Sequence, residues 1–466
     1  MSSPAKATFR MNRRSFLQST AALGAGLALA PTILGAEEKG TPKLLKCAII
    51  GAGTQGRVLL DQCVKLQGLS FEAVCDIWPF SQQYASRRLQ AYKHPARVYE
   101  DYNEMLDKEK GLDACIVATP DWMHAEHTVA CLSKGINVYC EKEMSNSLEK
   151  AKQMVVAAKE SGKLLQIGHQ RRSNPRYHHC QAKLLAEANL LGAVTHIYGQ
   201  WNRSTEASQP RGFPEKYALA DAMLKKYGYD NMNQFRDWRW YKKYGGGPIV
   251  DLGSHQIDIF SWFLGVNPKA VQATGGLDYH KKEGWEWYDN VMAIYEYATP
   301  KGVVRAFYQT LTTTSARGYY ETFMGDQGTL TLSEDPAKCR VYAEGHLTPG
   351  GESAGPHPWK KWEDKGYILK MEEEAVKAPA AEEQSQADAI MSVYKSKPPT
   401  AYIIPLKVEE SYHAPHLQNF FDSVRGQAKL NCPAEIGYET AVMVLKVNDA
   451  VEQRKTLDFT EAEFKA

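Results

Sequence analysis

Between residues 46 and 170, short apolar runs alternate with stretches in which apolar residues recur at helical spacing. Lys46–Ile50, Phe71–Cys75, Ala114–Ala118, Ile136–Cys140 and Leu164–Ile167 are short enough for buried strands. A helical pattern follows Gly56, and others cover Ser81–Ala91, Asp101–Leu106, Ala125–Leu132 and Leu148–Lys159. This alternation predicts a parallel sheet with helices on both faces, and ligand groups just past the C-terminal ends of the strands. After residue 171 the pattern changes. Val194–Trp201, Ala270–Gly276, Asn290–Tyr297, Gly302–Thr312 and Thr329–Leu332 alternate with period two, as antiparallel strands do. Asp251–Leu264, Ala414–Arg425 and Ile436–Glu452 read as helices.

The first strand runs into Gly51-Ala52-Gly53-Thr54-Gln55-Gly56, and a helix begins at once. Strand, glycine turn and helix N-terminus together suit a dinucleotide pyrophosphate, because the backbone approaches closely and unpaired N–H groups face the anion. Asp76 ends the next strand 20 residues past Gly56, where a carboxylate meets the adenosine ribose hydroxyls. Ile77 and Trp78 follow without an Arg or Lys beside them, so NAD is expected ahead of NADP. The predicted fold class is therefore α/β. A Rossmann dinucleotide-binding domain covers 41–170. A C-terminal α+β domain over 171–466 holds a large, mainly antiparallel open sheet, with insertions near 201–244 and 335–405.

Three polar clusters stand at the predicted ligand edge: Thr119-Pro120-Asp121-Trp122-Met123-His124, Glu141-Lys142-Glu143 and Gly168-His169-Gln170-Arg171-Arg172. An ammonium at Lys142 suits a substrate hydroxyl and the alkoxide formed as hydride leaves. His124 either lines the nicotinamide pocket or caps the helix beside it. His127, His169, His178 and His179 are read as structural, and no metal site is expected.

On the helix from Asp251 to Leu264, Asp251, His255 and Asp258 fall on one stripe at i, i+4 and i+7 of an otherwise apolar helix. Buried ionisable groups need partners. Either Asp and His bond each other for stability, or His255 takes a hydroxyl proton, Asp251 orients it or binds sugar, and Asp258 fixes the tautomer. Trp201, Arg203, Trp238, Arg239 and Trp240 fit sugar stacking and hydroxyl binding as well as ordinary packing or a subunit interface.

Composition narrows the classes. A net charge of +2, with no basic block interleaved with aromatics, gives no reason to expect nucleic acid. The nine cysteines form no C-x-x-C pair and read as small buried hydrophobes. Arg13-Arg14-Ser15-Phe16-Leu17, a weakly apolar stretch to Leu34 and a small-residue end at Ala36 predict a twin-arginine signal over 1–36. The protein is then exported or periplasmic, with no stable membrane span after processing.

With G-A-G-T-Q-G at 51–56, T-P-D-W-M-H at 119–124, E-K-E at 141–143 and G-G-G-P-I-V-D-L-G-S-H-Q-I-D at 245–258, the chain resembles the Gfo/Idh/MocA oxidoreductases over most of its length after residue 45. Glu143 stands where that family usually carries proline. The resemblance implies catalytic Lys142, Asp251 and His255. The expected cofactor contacts are Gly51, Gly53, Thr54, Gln55, Gly56, Asp76, Thr119, Pro120, His124, Glu141, Lys142 and Gln170. It also implies a homo-oligomer that oxidises a sugar, glycoside or polyol by hydride transfer to NAD or NADP. Export leaves no soluble nicotinamide pool, so the cofactor is expected to be tightly bound. The alternatives are an NAD-dependent glycoside hydrolase working through transient oxidation and elimination, and a non-catalytic cofactor-bound binding protein.

Overall fold

The computed structural model describes residues 42–204, 212–280, 284–348, 355–371 and 399–466. The predicted leader lies outside the described residues.

The first sheet contains β1 (Leu45–Ile50), β2 (Leu69–Cys75), β3 (Arg97–Tyr99), β4 (Ala114–Val117), β5 (Asn137–Cys140) and β6 (Leu165–Ile167). All its strands are parallel, in the order β3-β2-β1-β4-β5-β6. Helices cover both faces, which is why β4 is apolar and buried at every position. The connecting helices are α1 (Thr54–Cys63), α2 (Pro79–Ala91), α3 (Tyr102–Lys108), α4 (Asp121–Ser133) and α5 (Leu148–Ser161). Asp101 caps α3 by accepting from the backbone N–H groups of Asn103 at 2.8 Å and Glu104 at 3.0 Å. Strand order reverses between β1 and β4, and a crevice opens there at the strands' C-terminal ends.

After α6 (Pro175–His179), β7 (Val194–Asn202) enters a second sheet. Its other strands are β8 (Ala270–Gly276), β9 (Asn290–Thr299), β10 (Gly302–Leu311), β11 (Tyr319–Gly325), β12 (Gly328–Leu332), β13 (Arg340–Ala343), β14 (Leu369–Lys370), β15 (Thr400–Ile403) and β16 (Leu457–Asp458). The order is β14-β15-β13-β12-β11-β7-β10-β9-β8-β16, antiparallel except for β7 and β10. Two short helices, α7 (Asp221–Lys226) and α8 (Met232–Arg236), precede α9 (Gly247–Leu264). Pro248 in its first turn and Gly265 at φ 70° bound α9. It packs on β7, β9 and β10, with Phe260 against Phe323. Among the described residues no helix is long and apolar enough to cross a membrane.

Three features depart from the sequence pattern. Strand β11 carries Glu321 at a fully buried inward position, which broke the apolar alternation. That carboxylate accepts from Arg171 at 3.1 Å instead of facing water. The stretch 335–405, expected as a surface excursion, supplies β13, β14 and β15 and buries Trp359, Ile368 and Tyr402 in the main core. Helix α10 (Ala414–Val424), late in the chain, packs Leu417, Phe420 and Phe421 into the core of the first sheet, while α11 (Ala434–Gln453) lies on α9 and α5. All nine cysteines are buried and unpaired.

Candidate functional site

At the crevice between β1 and β4 lies a cleft of about 810 Å³ to which both halves of the chain contribute. Its base is the glycine turn. Gly51 sits at φ 90°, and a Cβ there would come within 2.7 Å of the Ala118 carbonyl. Gly56 does not line the cleft; a Cβ on it would press on the Gly51 carbonyl oxygen, so its task is to close the turn. Gly53 differs from both, because a Cβ there would meet nothing within 4 Å. Gly53, Thr54 and Gln55 line the cleft, and no side chain caps the start of α1. The empty space over Gly53 and the uncapped helix start fit a dinucleotide pyrophosphate.

Asp76, at the end of β2, accepts from the backbone N–H groups of Ala52 at 2.7 Å and Trp78 at 2.8 Å. Burial raises its pKa to about 6 against these two donors. Each carboxylate oxygen keeps a lone pair for a ribose hydroxyl.

The ends of β4 and β5 supply the next wall. Thr119 and Pro120 line the cleft, but His124 does not. The His124 ring is buried between the carbonyls of Thr119 and Glu143, each 2.7 Å from a ring nitrogen, and ties the two loops together. Burial lowers its pKa to about 4, so the ring is neutral and donates to one carbonyl at a time. Glu141 accepts from Gln55 Nε2 at 3.3 Å, and desolvation raises its pKa. The Lys142–Glu143 peptide is cis.

Lys142 and Asp251 meet across the cleft from opposite halves of the chain. The Lys142 ammonium donates to the Asp251 backbone carbonyl and lies 3.3 Å from Asp251 Oδ1. Arg239 Nε bonds the same oxygen at 3.0 Å, and Arg203 Nη2 is 3.6 Å from Oδ2. Burial works to raise the Asp251 pKa, but Arg239, Lys142 and Arg203 outweigh it and hold the carboxyl well below the usual range. One turn on, burial together with Lys142 and Arg171 keeps His255 neutral. Its Nδ1 has no hydrogen-bond partner among the described residues. Trp201 lies 5.3 Å from the His255 ring and stacks on Tyr319 at 4.4 Å.

Asp258 does not fix the His255 tautomer. It accepts from Arg172 Nε at 2.9 Å on both oxygens and from the Thr440 hydroxyl at 3.0 Å. Neither does Asp251 bond His255, since its oxygens face the three cations. Of the aromatic insertion, Trp201, Arg203, Trp238 and Arg239 reach the cleft, whereas Trp240 is buried on Trp285 with ring centroids 4.0 Å apart. Gln170 lines the cleft and donates to Glu334 at 3.2 Å.

The sequence assigns other cleft residues no individual role. Asp121, the first residue of α4, is 5% exposed, and burial raises its pKa to about 7 against the pull of Arg239. Its place right after a strand was the available signal. Glu334, Arg236 and His413 arrive from far along the chain, and no local pattern marks them.

Residues 45–169 match the family described as "Oxidoreductase family, NAD-binding Rossmann fold", and residues 179–331 match "GFO/IDH/MocA C-terminal domain". Over 228 residues the chain is 29% identical to 1,5-anhydro-D-fructose reductase of Ensifer adhaerens, a match over 49% of this chain and 59% of that protein. It is 30% identical over 237 residues to an NADP(+) scyllo-inositol 2-dehydrogenase of Bacillus subtilis, covering 49% and 54% respectively. The chain thus spans somewhat more than half the length of these curated relatives. The fold is similar to the WlbA dehydrogenase of Bordetella pertussis, solved in complex with NADH and UDP-GlcNAcA. That likeness covers 90% of this chain and 99% of the other, with a TM-score of 0.61 and 17% identity, and it is one of fold.

Proposed function

Since the chain belongs to the Gfo/Idh/MocA oxidoreductase family, we propose that it moves a hydride between a carbinol carbon of a sugar, glycoside or polyol and a tightly held NAD. The observation that carries this reading is the meeting of Lys142, Asp251 and His255 in the cleft into which the glycine turn opens. When bound, the nicotinamide supplies the hydride acceptor. Gly51, Gly53, Thr54 and Gln55 would hold the pyrophosphate, and Asp76 the adenosine ribose, where its charge opposes a 2′-phosphate.

The protein's own groups do the rest. Lys142 presents an N–H to the substrate hydroxyl oxygen and stabilises negative charge there as the proton leaves. His255, neutral, accepts that proton at a ring nitrogen. Asp251 stays ionised, holds the Lys142 ammonium in place and offsets the charge His255 gains. Trp201 offers an apolar face to a sugar ring.

The Arg13-Arg14 leader supports export by the twin-arginine route. Outside the cytoplasm a held cofactor must be returned to its starting state. Either a second sugar is reduced, or the same substrate is reduced after elimination and hydration. The test is to incubate purified protein with a panel of sugars and glycosides, following reduced-cofactor absorbance and products together. Lys142→Ala is expected to keep the nucleotide and lose about 100-fold or more in hydride transfer. Full activity in that variant would refute the mechanism, and a free reducing sugar without net cofactor change would identify the hydrolytic cycle.

A further inference from the structure

Directly after Asp76 the chain reads Ile77-Trp78-Pro79-Phe80, an aromatic pair where a helix is about to begin. These side chains have a partner far along the sequence. Trp78, 2% exposed, packs with Leu219, Leu224, Tyr229, Met232 and Trp238, a hydrophobic cluster separate from the cores of both sheets. Trp78 Nε1 donates to the Tyr217 carbonyl at 2.6 Å, and the Tyr217 hydroxyl donates to Gln83 on α2 at 2.8 Å. At the other rim, Lys226 Nζ at 2.9 Å and the Tyr227 hydroxyl at 2.8 Å both donate to Glu100, just past β3. The stretch 212–244 therefore leaves the second sheet after β7, crosses the first domain beside Asp76, and returns to α9.

Arg236 belongs to this crossing. Its guanidinium sits 4.7 Å over the Trp78 ring, and it lines the cleft with Asp76 and Phe235. Its Nε is buried without a hydrogen-bond partner among the described residues. A guanidinium stacked on one aromatic face leaves its other face to a planar base.

We propose that residues 212–244 form a strap closing the adenosine half of the cleft, and that Arg236 on it contacts the adenosine, so that the dinucleotide stays resident through turnover. This rests on the NAD-binding reading above and adds how the nucleotide is retained. To leave, the nucleotide must part the strap from Trp78 or break the two bonds to Glu100. Both cost more than letting go of an open Rossmann cleft.

The experiment purifies the full chain without added nucleotide, passes it through gel filtration, and quantifies acid-released NAD(H). Exchange against ¹⁴C-labelled NAD⁺ is then timed. Wild type is expected to retain about one equivalent and to exchange over hours. The paired change Glu100→Gln and Tyr227→Phe lies at partly exposed positions and should quicken exchange about tenfold, the worth of a lost hydrogen bond to a charged group. Arg236→Met should lose its nucleotide on the column with an unchanged circular dichroism spectrum. Wild type that takes up NAD yet releases it within seconds, or variants that exchange at the wild-type rate, would overturn the strap. Wild type that takes up no NAD at millimolar concentration would instead overturn the hydride-transfer reading, and the strap with it.

Discussion

Replacing Glu143 by Gln is expected to stabilise the protein, and to do so more as pH rises. Glu143 follows Lys142 and is 1% exposed. One oxygen accepts from the Met144 N–H at 2.8 Å, and the other has no partner among the described residues. Burial raises its pKa from 4.5 to about 8, a rise that the Met144 N–H and the Lys142 charge only partly oppose. Between those two values the unfolded chain has lost the proton and the folded protein still holds it, so the wild type loses stability as pH climbs. At about 1.4 kcal/mol per pH unit, the buried acid costs the fold about 3 kcal/mol at pH 7. Glutamine keeps the acceptor for Met144 and never ionises. Urea denaturation of wild type and Glu143→Gln should show a stability gap of under about 1 kcal/mol at pH 5 and about 4 kcal/mol at pH 8. An equal gap at both pH values, or a less stable variant at pH 8, would refute the reasoning. Glu143 would then be ionised in the fold and would share Lys142 with Asp251.

Gly53→Val should fold with an unchanged thermal midpoint, because its backbone sits at φ −67° and nothing lies near its Cβ, yet lose NAD affinity by more than about tenfold in calorimetry. Gly51→Ala should do the reverse in the melt, losing about 1–3 kcal/mol from positive φ and the Ala118 clash. Asp76→Ala should weaken NAD and narrow its advantage over NADP, and unchanged affinity for both would show that the ribose contact is misassigned. Asp251→Asn leaves Lys142, Arg203 and Arg239 facing a neutral amide. Single-turnover hydride transfer should fall about 100-fold or more, whereas a rate within twofold of wild type would remove Asp251 from the mechanism.

Local pattern was enough for a good deal of this protein. The runs that became β1, β2, β4, β5 and β6 are apolar because both faces of a parallel sheet are covered, and the glycine spacing and Asp76 mark the strand ends that open into the cleft. Lys142 was legible for the same reason, since anything right after such a strand stands at the ligand edge. Burial and long-range partners were not legible. His124 and Asp258 look like site residues in sequence, and only packing shows that one is held between two carbonyls and the other is spent on Arg172. Strand β11 was hidden because its buried Glu321 makes sense only beside Arg171, 150 positions away. The crossing of 212–244 over Trp78 was likewise invisible. Periodicity records which face of an element is dry; which distant charge or ring meets it is set when the chain closes on itself, because Coulomb and packing energies depend on separation in space and not along the sequence.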